Sequence, residues 1–159
     1  MVAELTNTQS TLYDTDFVRW VEQTVAQLQS ADYDSVDWEN LIEEIEDMSK
    51  RERRSLESNL VVLLLHLLKW QYQPDCRSGS WKGSIREHRR RINCMLKDSP
   101  SLKSYLQQEI WLSSYVEAQA QAVDETDLSP TIFPASNPYT VDNILNPDFL
   151  PSSASDDKI

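Results

Sequence analysis

The sequence predicts an all-α protein: a single helical bundle of about five helices around one central apolar helix, with an extended proline-rich C-terminal segment. Three observations lead there. Only two glycines occur, Gly79 and Gly83, and the alternating apolar/polar stretches that strands require are almost absent. Apolar residues instead recur at intervals of three and four in the segments before the late prolines. The stretch Leu60–Pro74, LVVLLLHLLKWQYQP, is apolar nearly all round, and such a helix has to be enclosed by others.

At 159 residues the chain can bury about two-thirds of its unfolded surface, enough for one core without staples. One domain is expected over residues 12–151, with disordered termini at 1–11 and 152–159. Asp14 or Thr15 can cap a first helix with Phe17, Trp20, Val21, Thr24, Val25 and Leu28 inward, ending near Ser30. Ala31–Ser35 is a polar connector, and Asp37 can cap a second helix that turns Leu41, Ile42, Ile45 and Met48 inward. Ser49-Lys-Arg-Glu52 has the form of a capping box and argues for a new start at Ser49, with one uninterrupted rod from Asp37 as the alternative.

The third helix runs from about Lys50 to Tyr72, where Pro74 ends it. After a loop at Cys76–Ser80, Ser80 opens a basic fourth helix with Ile85, Ile92 and Leu96 inward, ending before Pro100. Ser99-Pro100 is a cap followed by proline at the first helical position. The fifth helix passes through Leu102, Tyr105, Leu106, Ile110 and Leu112 to about Val123. Beyond Asp127, Pro130, Pro134, Pro138, Pro147 and Pro151 forbid a continuous helix. Ile132, Phe133, Tyr139, Ile144, Leu145, Phe149 and Leu150 are nevertheless too many apolar groups for a free tail, so this segment should lie extended across the bundle, with one short helical turn at Thr140–Leu145.

Charge is segregated. Residues 1–68 hold fourteen acids and five bases, residues 69–97 eight bases and two acids, and residues 98–159 ten acids and two bases, which gives −9, +6 and −8 within a total of −11. The bland account is an electropositive helix packed beside electronegative ones. Cys76 and Cys94 form no CxxC pattern, no apolar run is long enough to span a bilayer, and no basic-then-apolar signal peptide opens the chain. A reduced, cytoplasmic protein without membrane association follows as the expectation.

The ordered series Tyr13-Asp-Thr-Asp16-Phe17 with Trp20, Asp37-Trp-Glu-Asn-Leu41-Ile-Glu43-Glu-Ile-Glu46, His66-Leu-Leu-Lys69-Trp70-Gln-Tyr-Gln73-Pro74, Ser80-Trp81, Asp98-Ser-Pro100-Ser-Leu102, Phe133-Pro134 and Pro138-Tyr139 resembles the bacterial, chiefly cyanobacterial, domain-of-unknown-function family 29 over about residues 12–151. The resemblance implies an all-helical fold and no particular activity.

Two constellations merit scrutiny. His66, Lys69, Trp70 and Gln73 lie along one side of the third helix, where an enclosed lysine needs a carboxylate or an exit to water. Glu43 and Glu46 on the preceding helix are the expected partners, fixing the register of the two helices. The same residues, with His66 at the centre, are the nucleus of a metal-dependent hydrolase reading, but no Glu-x-x-His occurs and the set is one or two ligands short. The second constellation is the basic helix 82–97, where Arg86, Arg89, Arg90 and Arg91 offer a cationic face to phosphates or an acidic partner and Trp81 could stack on a base. GxSxG, phosphate-cradling glycine loops and paired Cys/His nucleophiles are absent. The leading expectation is a non-enzymatic protein–protein interaction or regulatory module with an unidentified protein partner and no cofactor. Nucleic-acid binding through helix 82–97 is the first alternative, the metal-dependent hydrolase the second, and oligomeric state is left open.

Overall fold

A computed structural model describes residues 11–154 of the chain; the expectations for residues 1–10 and 155–159 lie outside the described residues. No strand occurs among the described residues, and the architecture is all-α. Its helices are α1 (Leu12–Thr15), α2 (Phe17–Gln29), α3 (Trp38–Tyr72), α4 (Gly79–Asp98), α5 (Leu102–Tyr105), α6 (Trp111–Thr126) and α7 (Val141–Leu145). Two compact units divide the chain, Met1–Lys50 and Arg51–Ile159.

In the first unit, Asp16 caps α2 by accepting the Arg19 amide at 3.1 Å, and Asp37 caps α3 by accepting the Asn40 amide at 3.3 Å. Tyr13, Phe17 and Trp20 form a cluster of rings with centroids 4.9 to 5.9 Å apart. The Tyr13 hydroxyl donates to Glu44 at 2.8 Å and ties α1 to α3. That carboxylate beside the phenol pushes the Tyr13 pKa up to about 12.

The expected restart at Ser49 does not occur. α3 is one helix of 35 residues that passes straight through Ser49. A capping box starts a helix only where its own Ser or Thr leaves helical geometry, and Ser49 does not. Here Glu39 through Glu57 are mostly strong helix formers, and Lys50 reaches back to Asp47 at 3.1 Å and Glu46 at 3.9 Å across the expected break.

The second unit is built on the C-terminal half of α3, whose Leu56, Leu60, Leu63, Leu64, Leu67 and Leu68 are all fully buried. Ser78, rather than Ser80, caps α4 by accepting the Trp81 amide, and Ile85 and Ile92 of that helix reach the core. The next helix begins at Leu102, later than Ser99-Pro100 suggested, and ends at Thr126, where Asp127 takes a left-handed conformation at φ 55°. Its buried residues Leu102, Leu106, Ile110, Ser114, Ala118 and Ala122 recur every fourth position. A regular α-helix of 3.6 residues per turn would carry that stripe round the axis. The π-helical turn at Leu106–Ile110 between α5 and α6 widens the helix where this drift would build up. The shifted phase leaves Leu112, expected inward, exposed.

The proline-rich segment lays its apolar residues into the core, as their number required. Phe133, Tyr139 and Ile144 are buried among the leucines of α3. Tyr115 and Gln119 both donate to the Pro134 carbonyl, at 2.6 and 3.1 Å, and Tyr139 donates to Gln71 at 2.8 Å. The expected turn at Thr140–Leu145 is α7, closed by a Thr140/Asn143 capping box. Ser152–Ala154, expected to be disordered, are held: Arg77 donates to the Ser153 hydroxyl at 3.0 Å, and the Ala154 amide to the Gln71 carbonyl at 3.1 Å.

Candidate functional site

The polar residues of α3 do not meet as the sequence suggested. Glu43 and Glu46 were expected on a helix packed against the one that carries His66, Lys69 and Gln73, but residues 43 to 69 belong to one continuous helix. Lys69, whose side chain is 10 % exposed, takes its carboxylate from Glu125 at 2.6 Å, and its ammonium lies 4.5 Å from the centroid of the Trp81 ring. That arrangement supplies both the counter-charge and the π-face that an enclosed ammonium needs. Glu125 itself is half-exposed, so the pair ends at solvent and is not a sealed catalytic couple. Gln73 donates to the Thr126 carbonyl at 3.3 Å, beside the same helix end. Glu43 and Glu46 stand on the exposed side of α3.

His66 and His88 both hydrogen-bond to groups of α3 that are not carboxylates. The Nδ1–H of His66 donates to the Val62 carbonyl at 2.8 Å, and Nδ1 of His88 lies 2.8 Å from Asn59 Oδ1. Asn59 turns its amide nitrogen to the Ser55 carbonyl at 2.8 Å, so its oxygen faces His88 and fixes the proton on His88 Nδ1. Desolvation, then the nearby Arg91 and His66 charges, hold the His88 pKa below its ordinary value of 6.5, with Glu87 opposing. The folded chain therefore resists a proton that the unfolded chain accepts. This contribution to stability is complete above about pH 6.5 and is lost as pH falls through the lowered value. Urea unfolding at pH 7.5 and pH 5.5 should show a smaller acid-side loss in His88→Gln than in the parent chain; equal losses would refute the assignment. Among the described residues no group of three or more His, Cys, Asp and Glu converges on a point that could hold a metal ion.

The arginine face of α4 is dismantled by its own neighbours. Arg89, expected at the surface, is 3 % exposed and donates to three backbone carbonyls, Ile144 at 2.7 Å, Pro147 at 3.3 Å and Phe149 at 2.9 Å. The forked guanidinium meets several carbonyls of an irregular segment at once, which a helix-bound surface role could not reveal in sequence. Arg90 and Arg91 both bind Glu87, at 3.0 and 2.8 Å, and their charges hold its carboxyl down to about 2. Trp81, expected to stack on a base, is covered by the Lys69 ammonium. Only Lys82, Arg86 and Lys97 of this helix remain exposed without a carboxylate partner among the described residues.

What periodicity did not reveal is the apolar face of the first unit. Ile42, Ile45 and Met48 of α3, expected inward, are 54, 58 and 62 % exposed, and Trp38 is exposed beside them. On α2, Phe17, Val18, Val21 and Val25 are exposed as well. Spacings of 38, 42, 45 and 48, and of 17, 21 and 25, put each set on one side of its helix. Glu22, Glu39, Glu43 and Glu46 border these stripes in sequence. The unit that carries them has twelve acids and two bases, net −10; the second unit has fourteen acids and thirteen bases, net −1. The −11 of the whole chain thus resides almost entirely in residues 1–50.

No helix among the described residues is long and apolar enough to cross a membrane. No curated protein and no solved structure matches the chain. A family model, described as domain of unknown function DUF29, matches residues 12–150, nearly the whole length and both compact units. With its all-α architecture and this match from α1 to the end of the proline-rich segment, the chain belongs to the DUF29 family.

Proposed function

We propose that the chain is a non-enzymatic interaction module whose first unit docks a basic, amphipathic segment of a partner protein. The observation that carries this reading is the run of exposed apolar side chains on α2 and the start of α3, bordered by carboxylates. Soluble proteins seldom expose contiguous apolar surface of this kind without using it. An apolar centre with a charged rim is the general anatomy of a protein interface, and helix positions separated by three and four residues suit the anchors of a partner helix. The net charge of −10 selects the partner: a cationic surface gains from the field, whereas a second copy of the same unit, or an anionic membrane surface, is repelled.

The test uses Ile42→Asp with Ile45→Asp, both at exposed positions, so the fold should persist by circular dichroism. Affinity capture at moderate salt should recover a stoichiometric protein with the parent chain and lose it with the double variant. Crosslinking from position 45 should map to a Lys/Arg-rich helix of that protein. Failure to recover a stoichiometric protein, or equal recovery with both chains, removes the reading.

A further inference from the structure

In the second unit two cavities open side by side between α4 and residues 147–150. One, of 380 Å³, is lined by Arg86, Arg89, Arg90, Asn93, Cys94, Lys97 and Pro147, and its wall is mostly carbon. The other, of 430 Å³, adds Lys82, Ile85, Asp148 and Leu150, and both share Arg86, Arg89 and Pro147. They are halves of one cleft with two guanidinium groups at its waist. We propose that this cleft binds a small oxyanion, a phosphate or carboxylate carried on an apolar body, with Arg86 gripping the anionic group.

Charge is the first reason. Arg89 is a buried cation whose hydrogen-bond partners are neutral carbonyls, and no carboxylate lies within ion-pair distance of it among the described residues. Its five N–H groups have only three acceptors, and Asp148, the carboxylate that acts on its charge, stands beyond ion-pair distance. Arg86, also without a carboxylate, borders the same space and is exposed. A guanidinium matches the planar, two-oxygen edge of a phosphate or carboxylate.

Shape and composition are the second reason. A volume of 380 Å³ lies in the range of small-molecule sites, and a carbon-rich wall with a few convergent cations suits an amphipathic anion. Asp148 lines only the second cavity, so the anion is directed to the side of Arg86 and Lys97. A polyanion such as single-stranded nucleic acid fits less well. Arg90 and Arg91 are already engaged by Glu87, and among the described residues no aromatic side chain lines the cleft to stack a base.

Isothermal titration of the full chain with phenyl phosphate, phenylacetate and inorganic phosphate tests the proposal. At least one aryl anion should bind more tightly than inorganic phosphate and lose tenfold or more in affinity in Arg86→Met. The tighter of the two identifies the anionic group. Thermal unfolding of Arg86→Met should match the parent, because the residue is exposed; Lys97→Met, at a separate exposed position, should weaken the same ligand by a smaller factor. Affinity for neither aryl anion at millimolar concentration, unchanged affinity in Arg86→Met, or tighter binding of decathymidylate than of both overturns it.

Discussion

Ending the chain after Asp127 is expected to leave the second unit without a cooperative fold. Residues 128–154 look dispensable in composition, since prolines prevent them from forming a long helix. Yet Phe133, Tyr139 and Ile144 are buried in the same cluster as the leucines of α3. Removing three large buried side chains forfeits about 2 kcal/mol each, roughly 6 kcal/mol in all. That is comparable with the whole stability of a typical domain, about 5–15 kcal/mol. The loss also exposes apolar residues of α3 that share this cluster. The truncated chain should retain some helical signal, lose its sigmoidal melt and bind hydrophobic dyes. A cooperative transition near that of the parent would show that the segment is ornament and not core.

Arg89→Ala is expected to cost about 3 kcal/mol by removing a single residue. Its three carbonyl acceptors belong to Ile144, Pro147 and Phe149, so one guanidinium pins the end of α7 and the turn after it. Each buried carbonyl left without a donor costs about 1–3 kcal/mol, and local release of the segment relieves part of that sum. Asn93, which donates to the Leu145 carbonyl at 3.0 Å, holds only the neighbouring residue. Lysine keeps the charge but reaches fewer acceptors, so Arg89→Lys should fall between alanine and the parent. Urea midpoints measure the series, and hydrogen exchange should rise first over residues 141–150. Parent-like stability in Arg89→Ala would contradict the clamp.

These two predictions rest on features at opposite ends of what sequence could disclose. The burial of Phe133, Tyr139 and Ile144 was legible: apolar residues that dense need cover, whatever the prolines do to the backbone. The role of Arg89 was not. Its place four residues after Ile85 and three before Ile92 put it on the inward face, but which carbonyls it meets depends on where the chain returns fifty residues later. The Lys69 partner was half legible. That a buried ammonium requires a carboxylate follows from hydration energies, but the carboxylate is Glu125 on α6, and local spacing could not choose it over Glu43 or Glu46.

By itself, the sequence determined the all-α class, the cap at Asp37, the short helical turn at Thr140–Leu145, and the apolar half of α3 with its end before Pro74, while its ordered motifs carried the resemblance to the family. The class, the cap, the turn and the helix end depend on propensity, periodicity and covalent restriction over a few neighbouring residues, and the resemblance on the order of motifs along the chain. Tertiary structure decided whether α3 was one helix or two, which carbonyls the inward arginine of α4 met, and whether the stripes of α2 and early α3 were covered. A stripe at three/four spacing states only that one side of a helix is apolar. Whether another element of the same chain lies against it is a non-local fact, and among the described residues Ile42, Ile45 and Met48 stay exposed.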